Sequence, residues 1–465
     1  MYKSIDQHDL DFLMSLCGPQ RVMKILPDGF NKDEMPIYGE GNGEVAVSVL
    51  STQEVSEILK YANAHHIAVT TRGSGTGLVG SCVPLHGGII LSTAKMNKIV
   101  SIDPETMSAV VEPGVLLMKL AAEAESRNVM YPPDPGEKSA TIGGNAATNA
   151  GGMRAIKYGV TRDYVKALEV VLANGEILTL GKDVSKNSSG YALKDLMIGS
   201  EGTLGVITKL TLKLIPKPTL NISLLVPFDA IQKALEAVPQ IVQLPDVCTT
   251  LEFMEKEVLD DAKEYLGKDF PDRHYPAYLI LTYSASSQLQ LDAMVEKASV
   301  LLKTREANDI FLSDTVERQA ALWNTRGAFL EAIKNSTTLM DEADVVMPIT
   351  RIAAYLSFIK SLSDQYQIRI RSFGHAGDGN LHVYVCKDQL DEARWNEVLP
   401  KIMDALYERA LEEKGAVSGE HGIGHAKKAY LKASVGSTQI DLMRQIKSVF
   451  DPNGILNPDK IIDLK

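Results

Sequence analysis

The sequence predicts an α+β protein of more than one domain, and three observations lead there. At 465 residues the chain is too long for a single hydrophobic core. Short strand-like apolar runs alternate with amphipathic helical stretches along it. Pro216-Lys217-Pro218 breaks that pattern and is the best domain boundary. With 45% hydrophobic and 23% charged residues, the composition is that of an ordinary globular protein.

The elements follow in chain order. Ser51-Thr52-Gln53-Glu54 is a capping box, and Val55, Ile58, Leu59 and Ala62 give the helix behind it an apolar face. A strand over 67–71 runs into a glycine loop, and short strands with turns fill 88–111. A helix over about 115–126 precedes the loop Tyr131-Pro132-Pro133-Asp134-Pro135-Gly136. A second glycine cluster, read as a loop, spans 143–152. Residues 168–180 form a hairpin turning at Asn174-Gly175. Beyond the boundary, strands are expected at 222–226 and 277–283, with helices at 230–242 and 289–302. The tail Asp451-Pro452-Asn453-Gly454-Ile455-Leu456-Asn457-Pro458 is turn-rich and is expected to pack back on the first domain.

Bulk properties exclude several functions. A net charge of -11 argues against sequence-independent binding to nucleic acid or anionic membrane, and suits docking on a basic partner protein. The N-terminus has no apolar signal core and no stretch approaches a membrane span, so the cytoplasm is expected. Cys17, Cys82, Cys248 and Cys386 are far apart, with no C-x-x-C pair, disulfide framework or iron–sulfur spacing.

The first glycine loop, Arg72-Gly73-Ser74-Gly75-Thr76-Gly77-Leu78-Val79-Gly80-Ser81, contains a literal G-x-G-x-x-G. A Rossmann site needs a helix to start inside those glycines. The continuation Cys82-Val83-Pro84-Leu85-His86-Gly87-Gly88 cannot be that helix. The loop is therefore expected to wrap a diphosphate with successive backbone N–H groups. In the second cluster, glycine admits a flat ligand, and Asn145, Thr148 and Asn149 can bond ring or phosphate atoms. Two such segments suit a long cofactor, flavin adenine dinucleotide (FAD) above a mononucleotide.

Two C-terminal segments carry the chemistry, Gly374-His375-Ala376-Gly377-Asp378-Gly379-Asn380-Leu381-His382 and Ser418-Gly419-Glu420-His421-Gly422. His375 and His382, seven apart, would face opposite ways on one strand. A reversal at Gly377-Asp378-Gly379 lets the flanks pair as a hairpin that brings both imidazoles together. Glu420 completes a three-ligand set for Zn, Fe or Mn with positions open for substrate. Asp378 is read as a turn former instead. His421 is the candidate general base, since imidazole titrates near neutrality; a hydrogen bond to Glu420 is its other reading. His425 is read as structural.

In combination, Arg72 to Gly80, Pro132-Pro133-Asp134-Pro135, Gly143-Gly144-Asn145, Gly202-Thr203-Leu204-Gly205, the two metal segments and Asn457-Pro458 resemble one family. It is the vanillyl-alcohol-oxidase (PCMH) type of FAD protein, in the branch of glycolate oxidase flavin subunits, D-lactate dehydrogenases and D-2-hydroxyglutarate dehydrogenases. The resemblance covers nearly the whole chain. It implies a two-lobed FAD-binding domain over 1–217 and an α+β cap with an antiparallel sheet and the metal site over 218–440. Residues 441–465 would return to the FAD domain.

The resemblance places the pyrophosphate on Arg72, Gly73, Ser74, Gly75, Thr76 and Gly77, with Leu78 and Ser81 nearby. Pro133, Gly136, Ser139, Thr141, Gly143, Asn145, Thr148 and Gly152 would line the flavin. Gly202, Gly205 and Ile207 would reach toward the adenine, and Asn457 joins the cofactor set. Thr76 stands where some relatives carry a flavin-linking histidine, so FAD is expected to be noncovalent. The resemblance also gives the metal to His375, His382 and Glu420, and a substrate carboxylate to Arg326. Asn380 joins Arg326 and His421 as catalytic.

The implied activity is oxidation of a D-2-hydroxy acid. The acidic run Asp341-Glu342-Ala343-Asp344, where some 2-hydroxyglutarate enzymes carry a lysine, favours a monocarboxylate such as D-lactate. Glycolate or D-2-hydroxyglutarate dehydrogenase and an O₂-using oxidase stay open as alternatives. So do an electron-relay subunit and, last, an NAD enzyme. No second redox motif is present, so a partner protein is expected to take the electrons. An electron-transferring flavoprotein is favoured over an iron–sulfur subunit, because Asp33-Glu34-Met35-Pro36-Ile37-Tyr38-Gly39 resembles lactate dehydrogenases that use one.

Overall fold

A computed structural model describes residues 2–463 other than 269 and 272. The chain forms two compact units. The first comprises Met1–Gly151, Val160–Lys217 and Glu420–Lys465, and the second Gly152–Gly159 and Pro218–Gly419.

The first unit holds two main sheets. In one, Val45–Ser48, Ile89–Ser92 and Val69–Arg72 lie side by side in parallel, with Val22–Met23 antiparallel on the edge. The crossover is the helix Thr52–His65, whose N-cap Ser51 accepts the Glu54 amide while Glu54 accepts the Leu50 amide. Its face of Val55, Ile58, Leu59 and Ala62 is buried against Val45, Val47, Val69 and Leu91. Ile455 and Leu456 of the tail join that core, where Val69 and Leu456 bridge in parallel.

The other sheet is five-stranded and antiparallel, in the order Ile99–Asp103, Ser108–Val111, Val206–Lys213, Val165–Val171, Ile177–Gly181. The last two strands are the hairpin expected at Asn174-Gly175. The helix expected near 115–126 is Leu117–Glu125.

The second unit is a seven-stranded antiparallel sheet backed by helices. Its order is Phe311–Ser313, Leu220–Phe228, Ala277–Ala285, Thr250–Glu255, Arg369–His375, Asn380–Cys386, Met340–Val346. Helices Ile231–Val242 and Gln288–Thr304 fall where helical periodicity placed them.

Two expectations are corrected. The second glycine cluster is not all loop, because Ile142–Thr148 is a short helix. The Thr141 hydroxyl accepts the Gly144 amide and caps it, and Asn149 ends it in the left-handed region at φ 54°. The chain also rejoins the first unit at Glu420 rather than at 441. No apolar period runs through Gly422-Ile423-Gly424, so the pattern carried no mark of that crossing.

Candidate functional site

In the first unit, the loop after Val69–Arg72 contains no helix, which rules out the Rossmann geometry. Arg72 turns inward. Its Nη1 donates to the Lys32 carbonyl (2.7 Å) and contacts Cys82 Sγ (3.2 Å). Gly75 lies against that guanidinium with φ +84°, so a side chain would be strained and would collide with it. The two glycine segments touch: Ser74 Oγ donates to the Ser139 carbonyl (2.7 Å), and Gly73 packs on Thr141. Gly77 and Gly136 have open space in front of them.

Other members of the expected cofactor set also make contacts within the protein itself. Gly143 lacks a side chain because Pro113 would lie 2.5 Å from its Cβ. The Ser81 hydroxyl donates to Glu201. Asn457 Nδ2 donates to the carbonyls of Ser81 (2.8 Å) and Glu201 (2.7 Å). Thr148 Oγ1 donates back to Gly144 (3.3 Å). Ile207 is buried in Val206–Lys213, Gly202 and Gly205 belong to the turn before it, and Gly152 stands where the chain crosses to the second unit. Asn145 is different. It is buried, and its Nδ2 has no partner among the described residues. A buried amide donor left over at a cradle of open glycines fits a ligand rich in acceptors, as a flavin is.

Asp33 was not anticipated in this role. Its carboxylate accepts the amides of Gly80 (2.5 Å) and Met35 (3.0 Å), while the Glu34 amide donates to the Gly77 carbonyl (3.1 Å). Burial pushes its carboxyl up to about 6. The Asp33–Gly39 run therefore shapes the glycine loop.

In the second unit, strand register gathers ionisable groups on one face. His375 pairs with Asn380, Phe373 with His382, and Asp344 with His382 across the next strand. Met254 pairs with Phe373, which puts Glu252 on that same face. The reversal at 376–379 thus brings the two imidazoles together, their rings 5.3 Å apart at 89°. Both are buried. Asp378 accepts the Asn380 amide (3.2 Å), the turn-forming role expected of it.

Carboxylates back both rings. Glu252, fully buried, accepts from His375 Nδ1 at 2.8 Å. This fixes the proton on Nδ1 and leaves Nε2 as a lone-pair donor, the usual arrangement behind a metal-bound imidazole. Glu342 and Asp344 carboxylates lie 3.5 and 3.8 Å from His382 Nδ1. Burial alone would raise Glu252, but His375 and Arg326 outweigh it and hold its carboxyl below the ordinary value. Burial, then the Glu342 carboxylate, push the Tyr384 phenol well above its usual range. Two orthogonal imidazoles with carboxylate support suit a divalent ion of the zinc, iron or manganese type.

Arg326 and Asn380 also serve the framework of the second unit. Arg326 is buried, with Nε 2.8 Å and Nη2 2.5 Å from Glu252 Oε2, and its guanidinium stacks over Phe373 at 4.6 Å. That edge is committed to Glu252, because a buried carboxylate needs a cation. Asn380 Nδ2 donates to Asp344 (2.7 Å) and to the Val345 carbonyl (2.9 Å), tying strand to strand. Asp344 also accepts from Ser418 Oγ and the Gly419 amide, each at 3.0 Å. Glu420, the next residue, belongs to the first unit, where its Oε2 would lie 2.7 Å from a Cβ on Gly151. His421 Nε2 is 3.6 Å from Glu420 Oε1.

Glu252 is not singled out by sequence, and Glu342 and Asp344 enter there only as part of an acidic run that repels a second substrate carboxylate. The signal was present in Thr250-Leu251-Glu252-Phe253-Met254 and Met340-Asp341-Glu342-Ala343-Asp344-Val345-Val346. An acid inside an otherwise apolar strand must be paired.

A flavin cradle in one unit and a carboxylate-backed histidine pair in the other define an FAD-dependent oxidoreductase. The comparisons agree. Residues 44–181 match the FAD binding domain and 217–461 the C-terminal domain of FAD linked oxidases, so the chain belongs to that family. It is 48% identical to a D-lactate dehydrogenase of Anaerostipes hadrus, over 96% of this chain and 95% of that one. It is 37% identical to glycolate oxidase subunit GlcD of Bacillus subtilis, over 93% and 91%. Its fold is that of p-cresol methylhydroxylase, with TM-score 0.83 and 20% identity over 100% and 99% of the two chains. No described helix is long and apolar enough to cross a membrane.

The cradle implies a further result. Thr76 offers no nucleophile of the flavin-linking kind, so acid precipitation should release FAD into the supernatant. Yellow colour retained on the denatured pellet would overturn noncovalent binding.

Proposed function

We propose that this protein oxidises a D-2-hydroxy acid, D-lactate first, to the 2-oxo acid and passes the electrons to a separate redox protein. The observation that carries the reading is the buried, orthogonal His375–His382 pair, its Nδ1 side backed by Glu252, Glu342 and Asp344, in a family of FAD-linked oxidases. When bound, FAD would take up the electrons and the C2 hydrogen, and a divalent metal on His375, His382 and Glu420 would polarise the substrate's hydroxyl. The chain's own residues do the rest. A His421 ring nitrogen accepts the hydroxyl proton. Glu252 keeps the His375 proton on Nδ1, and Arg326 holds Glu252 ionised. Asn380 and Asp344 fix the strand end.

The acids Glu342 and Asp344 on the histidine face disfavour a substrate with a second carboxylate. That supports lactate, the substrate for which the 48% identical relative is named. Glycolate is the second reading, on the name of the Bacillus relative. That a partner takes the electrons is supported by the absence of cluster-type cysteine spacing. The preference for an electron-transferring flavoprotein over an iron–sulfur subunit rests on the resemblance of the Asp33–Gly39 run alone. Four cysteines without a disulfide fit a reducing compartment, so cytoplasm belongs to the same proposal.

One anaerobic experiment tests substrate and acceptor together. D-lactate should bleach the flavin faster than L-lactate, glycolate or D-2-hydroxyglutarate. The reduced enzyme should then reoxidise rapidly with electron-transferring flavoprotein and slowly with air or quinone analogues. Fastest bleaching by D-2-hydroxyglutarate would overturn the substrate. Reoxidation in air at the turnover rate would make the protein an oxidase.

A further inference from the structure

The segment just beyond His421 is held by one side chain that the proposed chemistry does not use. Glu201 is buried, and its carboxylate accepts the amides of Ile423 (2.7 Å) and Gly424 (2.8 Å) and the hydroxyl of Ser81. Its backbone is engaged as well. The Glu201 amide donates to the Ala147 carbonyl (2.8 Å) in the second glycine cluster, and its carbonyl accepts from Asn457 (2.7 Å). Four separate segments of the first unit therefore meet at this residue.

The local backbone is unusual in the same place. Glu201 sits at φ +52°, a region that glutamate seldom adopts. Strain of this kind persists where the surroundings over-determine it, and it gathers at functional sites. Gly422 lies at φ +89°, with its Cβ position 2.8 Å from Glu201 Oε1. Any side chain there would be strained and would press on the carboxylate. The amides of His425 and Ala426 then donate to the Val79 carbonyl, at 3.2 and 3.3 Å. Residues 422–426 are thus laid along 79–81, the end of the first glycine loop, with Glu201 as the clamp.

We propose that Glu201 is a positioning residue that sets Glu420 and His421 relative to the flavin cradle. The inference rests on the proposed roles of those two residues. A fully buried carboxylate with three donors fixes its partners more tightly than packing does. Only Gly422 separates His421 from the clamped Ile423 amide. Loosening the clamp should let the imidazole wander without removing it.

Glu201→Gln keeps the volume but turns one acceptor into a donor facing an amide. Flavin reduction by D-lactate should slow about 10²-fold, the effect of a misplacement of ~1 Å. FAD stoichiometry should be retained, and the pH dependence of the reduction rate should shift. Hydrogen–deuterium exchange should rise in peptides covering 420–426 of both the FAD-loaded and the stripped protein. That readout does not depend on turnover. Glu201→Asp should recover part of the rate. If Glu201→Gln does not fold with FAD, Gly422→Ala disturbs the same contact from the other side and should give the same exchange pattern. Parent-like exchange, rate and pH profile in the variant that folds would overturn the inference. His421→Asn is run beside it. If that change is silent, the roles given to His421 fail; if it slows reduction while Glu201→Gln does not, only the clamp fails.

Discussion

His375→Ala should abolish turnover and metal content while FAD stays bound at full occupancy. The imidazole is buried, its Nδ1 is held by Glu252, and its ring stands at 89° to His382. Removing it deletes one proposed ligand and leaves Glu252 with Arg326 alone in the interior. A buried charged group that loses a hydrogen-bond partner costs about 1–3 kcal/mol, so the melting temperature should fall as well. His382→Ala should behave alike. The flavin cradle is built from first-unit residues and should load normally. Glu252→Gln should act through orientation, weakening metal affinity roughly 10–100-fold, as loss of such an outer carboxylate typically does. Metal and flavin are measured on the same purified samples, by elemental analysis and absorbance. Stoichiometric metal in both histidine variants would sink the ligand assignment.

The legible and illegible parts of this protein differ in physical kind. Helix Thr52–His65 was readable because Ser51, Glu54 and an apolar stripe all act within one turn of each other. The hairpin over Arg369–His375 and Asn380–Cys386 was readable because glycines mark its reversal and alternation marks its faces. Side chains that act across the chain were another matter. Arg326 pairs with Glu252, 74 positions away, and no local signal joins them. The Asn380 amide donates to Asp344 of the neighbouring strand, a contact that only the strand register creates. Asp33 and Gly80, 47 apart, meet only once the glycine loop has folded. Buried acids carry a weak local trace, a charge within an apolar strand, and that trace says only that a partner exists. Gly143 illustrates an ambiguity of another kind. Glycine beside a cofactor and glycine beside Pro113 look the same in sequence.

His421→Asn should leave FAD and metal in place and slow flavin reduction about 10²–10⁴-fold, the usual worth of a positioned base. Asparagine keeps a polar side chain of similar reach but takes up no proton near neutrality. Glu420 is untouched, and the amides of Ile423 and Gly424 still donate to Glu201, so the segment should hold its shape. The loss should fall on the reduction step and not on substrate affinity. Anaerobic stopped-flow at saturating D-lactate separates the two. If His421 only hydrogen-bonds Glu420, which lies 3.6 Å away, asparagine would preserve much of the role and the rate would stay within a few-fold of the parent. That result would move the proton to another acceptor and strip His421 of its chemical role.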